Sequence, residues 1–302
     1  MRYRLEDGEP VTSQRNRTWA VGHGRSLELG PVGHLMAIIN VTPDSFSDGG
    51  RYSGVDAAVA QALACVREGA AILDIGGEST RPGAAEVSAA EEQDRVLPVI
   101  ERLSGETDAL LSIDTYRAQT AHLAMAAGAH IINDVHGLQR DADMAAVAVE
   151  TGAGVCIMHT GRGRDDRQPD LVDDQLHFLG RSLEIARTAG LSPGNIVLDP
   201  GFGFAKNRDD DLELMARFGE LHRMGFPLLA GTSRKRFIGS VTGRDTPADR
   251  DVGTAATTVV LRLAGAAIFR VHDVPTNRDA LAIADAVLAA GNAGRDPVES
   301  RG

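Results

Sequence analysis

The sequence predicts an α/β chain folded as a closed (β/α)8 barrel, on three observations. Eight short apolar runs recur along the chain, at 35–40, 71–76, 109–114, 130–135, 154–159, 195–199, 227–231 and 267–272. Between them lie alanine- and leucine-rich segments with helical spacing, such as 55–68, 117–127 and 176–189. Strands alternating with helices argue for a parallel sheet, and near-continuous apolar strands fit a sheet covered by those helices. Finally, Gly69, Gly128, Gly152 and Gly190 each follow a helical segment shortly before the next strand, where a helix-closing glycine belongs. A length of 302 residues suits one barrel with additions. The rival is an open doubly wound sheet, whose Gly-rich fingerprint is missing from the first βα turn. Gly201-Phe202-Gly203-Phe204-Ala205-Lys206 has two of the three glycines and sits in the sixth unit; no P-loop is present.

In chain order, residues 1–33 are polar and irregular and read as an N-terminal extension covering one end of the barrel. Within it, Thr18–Leu29 suggests a β-hairpin turning at Gly22-His23-Gly24. The barrel domain is assigned to 34–291 and a polar C-terminal tail to 292–302. A net charge of −11 argues against duplex nucleic acid or a membrane surface as partner. Aromatics at 4% leave few platforms for a single strand. Met1–Asp7 has no apolar h-region and no apolar run reaches a spanning length, so a cytoplasmic protein is expected. Cys65 and Cys156 lie in apolar runs without C-x-x-C spacing, as reduced core residues do. Only two of the 31 basic residues are lysines, Lys206 and Lys235. Lysine and arginine are not interchangeable where a point charge must meet one atom. That singles out Lys235 for function; Lys206 stays open between function and composition bias.

In such a barrel the site lies at the carboxyl ends of the strands. The first strand runs into 38–50, where Asn40, Asp44 and Asp48 crowd together as a hard cation such as Mg²⁺ would require. The second delivers Gly77-Glu78-Ser79-Thr80-Arg81-Pro82-Gly83, and the third Asp114. Asn133-Asp134, His159 and Asp199-Pro200-Gly201 end the next three. Gly231-Thr232-Ser233-Arg234-Lys235-Arg236 follows the seventh, and Arg270 and His272 lie on the eighth. Singly, each has a structural explanation: Asp114-Thr115 suits a helix N-cap, Asp199-Pro200 a turn, Met158 and Phe204 the core. A polar group at nearly every strand end instead describes a polar cup awaiting a ligand. Asp114, Asn133 and Asp199 suit a flat heterocycle rich in N–H groups, since a carboxylate accepts two parallel hydrogen bonds from such an edge. Arg81, Arg234, Lys235, Arg236, Arg270 and His272 supply positive charge where barrels commonly bind phosphate. Asn40 with Asp48 would hold Mg²⁺ against it. Heterocycle, phosphate and metal together suggest phosphate-leaving-group chemistry, without naming the substrate.

The segments 40–50, 76–83, 112–115, 133–134, 198–204, 233–235 and 270–272, in this order, resemble the motifs of the dihydropteroate synthase family across roughly 34–288. The resemblance implies a pterin-binding (β/α)8 barrel, usually a homodimer, acting in folate biosynthesis. Its small-molecule substrates would be dihydropterin-CH₂-pyrophosphate and p-aminobenzoate, joined with release of pyrophosphate and with Mg²⁺. It further implies that Asp114, Asn133, Asp199 and Lys235 hold the pterin, flanked by Met158 and Phe204, with Gly231 at the substrate. Arg270 and His272 would bind pyrophosphate and Asn40 the metal. Phe46–Asp48 and Thr80–Pro82, with Arg81 between, would close over the site and shape the p-aminobenzoate pocket. Asp48, Arg81, Lys235, Arg270 and His272 are thus the expected catalytic set.

Two departures from the family pattern stand out. After His159 many members continue with Met and a Gly-x-Pro stretch; here Thr160-Gly161-Arg162-Gly163-Arg164-Asp165-Asp166 follows. Some members carry serine directly after the motif lysine, against the p-aminobenzoate carboxylate; here it is Arg236. The altered fifth loop leaves a non-catalytic pterin-binding relative as the alternative, and the intact motifs at 40–50 and 78–83 count against it. A pterin-dependent methyltransferase would use a similar barrel, but Asp134-Val-His136 does not extend to a D-x-H-x-x-G cobalamin signature.

Overall fold

The computed structural model describes residues 16–42, 51–78 and 86–293. An antiparallel hairpin comes first, β1 (Arg17–Ala20) and β2 (Ser26–Leu29), turning through Gly22–Gly24 as expected. Eight parallel strands follow. They are β3 (His34–Asn40), β4 (Ile72–Gly76), β5 (Leu110–Asp114), β6 (Ile131–Asp134), β7 (Gly154–Met158), β8 (Ile196–Asp199), β9 (Leu229–Ala230) and β10 (Ile268–Val271). They pair in the order β8-β7-β6-β5-β4-β3-β10-β9, and the parallel bridge between Leu198 and Leu228 brings the ends of that row together. The seventh strand is shorter than the apolar run 227–231 because Pro227 has no N–H for the ladder and Gly231 already starts the loop.

Nine helices are described around the ring: α1 (Arg51–Glu68), α2 (Ala89–Glu106), α3 (Ala118–Ala126), α4 (Met144–Thr151), α5 (Leu171–Ala189), α6 (Arg208–Ala216), α7 (Arg236–Thr242), α8 (Asp251–Leu263) and α9 (Val274–Ala293). Their ends follow local chemistry. Ser88 and Glu91 form a capping box at α2, and the Asp170 carboxylate accepts from the N–H groups of Val172 and Asp173 at α5. Gly152 and Gly190 close α4 and α5 in the left-handed conformation that glycine adopts without steric cost.

Because strand side chains alternate between two faces, each strand feeds two cores. Outward residues such as Leu35, Ala37, Ile39, Leu73, Ile75, Leu111, Ile113, Val155, Ile157, Leu198 and Phe269 pack with the helices. Inward, every strand gives one apolar residue to a floor: Met36, Ile72, Leu110, Ile131, Cys156, Val197, Leu229 and Ile268. The hairpin seals this floor with Trp19, Val21 and Leu29. Trp19 is 1% exposed, and its indole N–H donates to the Asn195 carbonyl at 2.8 Å. Two residues further along each strand, the next inward layer faces the opposite, carboxyl-terminal end.

A buried guanidinium ties the hairpin side to the outer helices. Arg262 of α8 is fully buried and pairs with Asp285 of α9 while donating to the carbonyls of Gly30, Pro31 and Ala266. Replacing one member of such a pair strands the other charge, at a cost of about 3–5 kcal/mol. Arg262→Leu is expected to lower stability by that order, read as a shifted urea midpoint without a changed barrel signature in circular dichroism.

Candidate active site

Two residues above the apolar floor, the inward positions are Ile38, Asp74, Ser112, Asn133, Met158, Asp199, Gly231 and Arg270. The strand registers set these side by side: Ile38 pairs with Asp74, Asp74 with Ser112, and Met158 with Asp199. Asn40, Gly76 and Asp114 form the next level up, with Asp114 paired to Asn133. One polar cavity floor thus collects residues that the sequence spreads over two hundred positions.

Asp74 is the hub of that floor. Its fully buried carboxylate accepts from Ser112 Oγ at 2.6 Å, Asn133 Nδ2 at 3.0 Å and Arg270 Nε at 2.6 Å. Arg270 Nη2 reaches Asp114 Oδ2 at 2.7 Å, so one guanidinium bridges two carboxylates. Burial alone would favour neutral Arg270, but Asp74 and Asp114 outweigh it and raise its pKa. Burial raises that of Asp114, with Arg270 pulling the other way. Burial likewise raises Asp199, opposed chiefly by Lys235. Gly231 leaves room beside Asp199: a Cβ there would stand 3.6 Å from its Oδ2.

The loop after β9 delivers Lys235 and is pinned residue by residue. Thr232 bonds Thr257 at 2.7 Å, and Ser233 Oγ bonds both Nδ1 and the backbone N–H of His272, at 2.9 and 3.1 Å. Arg234, at φ 59°, is held by a two-pronged pair to Asp251 and by Thr254. Lys235 Nζ then donates to the Phe202 carbonyl and lies 4.9 Å from the Phe204 ring centroid. Burial lowers its pKa to about 8, against the pull of Asp199 and Asp211.

The loop after β8 faces it. Gly201, at φ 64°, accepts no side chain: a Cβ would lie 2.0 Å from the His159 carbonyl oxygen. Lys206 Nζ donates to the Gly201 carbonyl at 2.9 Å and sits 3.0 Å from His159 Nδ1. The other ring nitrogen of His159 meets Asp174 at 3.0 Å, and Arg164 grips both Asp174 oxygens at 3.0 Å. Burial lowers His159 to about 4 and Lys206 to about 7. The two lysines of the chain therefore hold successive carbonyls of one loop. Above them Tyr116, Val135 and Met158 form an apolar shelf with Phe204 packed against it.

Of the residues nominated from sequence, Asp114, Asn133, Met158, Asp199, Phe204, Gly231, Lys235 and Arg270 converge on this cavity, with Asn40 and His272 on the same rim. Phe46, Asp48, Thr80, Arg81 and Pro82 lie outside the described residues. Arg234, nominated for its charge, is instead committed to Asp251, and Arg236 is exposed on the first turn of α7. Asp74, Ser112 and the Asp174–Arg164 pair join the site without having been nominated, alongside Lys206, left open from sequence, and His159, read as a strand-end residue. Asp74 was legible in principle: an acid at an inward position of an otherwise apolar strand, Ile72-Leu73-Asp74-Ile75-Gly76, asks for partners.

Comparison with known proteins gives the family of the chain. The model of the pterin binding enzyme family matches residues 36–272. The dihydropteroate synthase of Bacillus subtilis (strain 168) is 46% identical over 257 residues, 85% of this chain and 89% of the relative. The chain belongs to the dihydropteroate synthase family. Among solved structures of this family, the Xanthomonas albilineans dihydropteroate synthase with 4-aminobenzoic acid superposes with a TM-score of 0.85 at 43% identity, covering 90% of this chain and 99% of the other. The Clostridium difficile dihydropteroate synthase solved with pteroic acid gives 0.83 at 44% identity, covering 86% and 98%. Like other members of the dihydropteroate synthase family, the chain is a transferase built on a (β/α)8 barrel. Among the described residues no helix is long and apolar enough to cross a membrane.

Depressed lysine pKa values have a consequence for stability. Between about pH 7 and the ordinary lysine value, the folded chain holds fewer protons on Lys206 than the unfolded chain does. Lys235 acts alike from about pH 8 upward. Stability of the ligand-free protein is therefore expected to rise with pH above neutrality. Urea denaturation at about pH 7 and about pH 8.5 should give a positive slope, flatter in Lys206→Met.

Proposed function

We propose that this chain condenses dihydropterin-CH₂-pyrophosphate with p-aminobenzoate to give dihydropteroate and pyrophosphate. The carrying observation is the ring of acceptors, the buried Asp74, Asn133 and Asp199 and the partly buried Asp114, held around Arg270 and Lys235 beneath an apolar shelf. An amino-imine heterocycle presents a row of N–H donors and ring acceptors that such a set complements. In this reading Asp114, Asn133 and Asp199 take the pterin N–H groups and Lys235 a pterin acceptor atom. Gly231 keeps the backbone close, and Met158 and Phe204 cover the ring faces. Arg270 and His272 face the diphosphate. The resemblance adds Phe46–Asp48 and Thr80–Pro82, with Arg81 between, which lie outside the described residues, as the loops that would close over the site and shape the acceptor pocket.

The C–O bond to diphosphate breaks first and its electron pair leaves with the diphosphate. The pterin methylene is left cationic, the aniline nitrogen attacks it, and the surplus N–H proton passes to solvent. Positive charge placed where the leaving oxygens gain charge lowers that barrier. No general base is required, because an aromatic amine attacks in its neutral form. Mg²⁺ is the metal of this reading, with a single protein donor on the rim. The described residues contain no group of three His, Cys, Asp or Glu that could hold a metal, whereas Asn40 offers a hard amide oxygen on the rim. Such a site suits an ion that keeps its waters and is shared with substrate phosphates. When bound, Mg²⁺ would neutralise the departing diphosphate, with Asn40 as its protein ligand.

The protein is further proposed to be a cytoplasmic homodimer. Supporting the dimer, Val252, Val260 and Leu263 on α8 and Ile283 and Val287 on α9 are exposed. Sedimentation at micromolar concentration should return twice the 31.9 kDa chain mass.

The decisive assay is pyrophosphate release by the purified protein from dihydropterin pyrophosphate, p-aminobenzoate and Mg²⁺. Turnover that chelation of the metal abolishes is expected; pterin binding without turnover would identify a binding protein instead. Lys235→Ala should lose roughly 10²-fold or more of kcat/KM with its melting temperature retained. Lys235→Arg should also be poor, since a fork of donors does not replace a point charge.

A further inference from the structure

The loop after β7, where the chain leaves the family pattern, is firmly placed. Gly161 N–H donates to the Phe204 carbonyl at 3.2 Å, Arg162 N–H donates to Thr160 Oγ1 at 3.2 Å, and Arg164 is clamped on Asp174. Between these anchors the Arg162 guanidinium carbon stands 4.6 Å from the centroid of the Phe204 ring. The neighbouring cations are all engaged: Arg164 with Asp174 and Asp166, Arg270 with Asp74 and Asp114, Arg117 with Glu78 and Glu92, and Arg140 with Glu86. Arg162 differs. Among the described residues its guanidinium has no hydrogen-bond or ion-pair partner. Burial is the sole influence on its pKa, which is lowered, and no carboxylate opposes it. It also pushes down the pKa of Lys235, so both charges bear on the same end of the cavity.

A half-buried, unpaired fork of donors beside an aromatic face is built for a flat ring that carries an anion. We propose that Arg162 is a specificity-determining residue of this chain, binding the carboxylate of the aromatic acceptor at the outer edge of the pterin shelf. This rests on the function proposed above, and it gives the altered fifth loop a purpose. It also moves the carboxylate contact away from Arg236, which is exposed on the first turn of α7. A diphosphate could supply a similar negative charge, and the test separates the two sources.

Calorimetric titration of the full-length protein with pteroate, with 6-hydroxymethylpterin and with pyrophosphate needs no turnover, so it stands apart from whether the chain forms dihydropteroate. In Arg162→Ala, pteroate affinity should fall about tenfold or more, while the pterin lacking the benzoate binds as before. Arg162→Lys should recover part of the loss, and Arg236→Ala should leave pteroate binding within about twofold of the unmutated chain. In the turnover assay, the preference for p-aminobenzoate over uncharged p-aminobenzamide should collapse in Arg162→Ala through KM rather than kcat. The proposal is overturned if pteroate and the bare pterin weaken equally, if pteroate does not weaken, if pyrophosphate binding suffers instead, or if Arg236→Ala has the larger effect.

Discussion

The structure depends on one buried carboxylate. Asp74 lies inside the barrel with no water-facing side, where an unpaired charge would cost several kcal/mol. Ser112, Asn133 and Arg270 each give it a hydrogen bond, and these donors come from β5, β6 and β10. Strands that are not neighbours in the ring are thereby tied through its centre. The same set orients the groups that a ligand would meet: the Asn133 amide is fixed by its bond to Asp74, and the Arg270 fork is shared with Asp114. Stability of the floor and shape of the site are one network, so neither is free to change alone.

Around that floor, flexible positions are converted into fixed ones by short-range chemistry. A loop carrying a lysine would ordinarily sample many conformers, and ordering a long side chain costs up to about 2 kcal/mol in lost rotamer freedom. Here Thr257, His272, Asp251 and Thr254 constrain the backbone before Lys235 is reached. The facing loop is shaped by glycine at Gly201, by the Asp199 carboxylate on the Gly201 N–H at 2.7 Å and by Asp211 on the Gly203 N–H at 2.7 Å. Asp199 is therefore committed on one oxygen and presents the other. A site built in this way is largely formed before ligand arrives, which keeps the entropic cost of binding low.

The barrel was legible because its signals are local and repeated. Apolar runs, helical spacing and closing glycines recur in each unit, and a two-residue alternation needs no long-range information to read. Residues at strand ends, Asp114, Asn133 and Asp199 among them, were legible for the same reason. Asp74 is not legible from strand ends because it is an acid in mid-strand, although the alternation already points it inward. The pairing of His159 with Asp174 and Arg164 was beyond sequence reasoning for a different cause. Asp174 looks like an ordinary acid in the first turn of α5, and only the fold brings it under a buried imidazole. Arg162 likewise reads as loop charge until the ring of Phe204 is found beneath it. Arg234 misled in the opposite sense: a cation in a promising loop turned out to serve the loop itself.

A chain with two lysines, each holding one of the adjacent carbonyls of Gly201 and Phe202, has an unusual chemical footprint. On most proteins, reagents that acylate ε-amines scatter over the whole surface, and the product is a blurred mixture. Here both ε-amines border a single cavity, and burial depresses the pKa of each, which enlarges the unprotonated, nucleophilic fraction near neutrality. Labelling of either becomes a direct gauge of whether that cavity is filled.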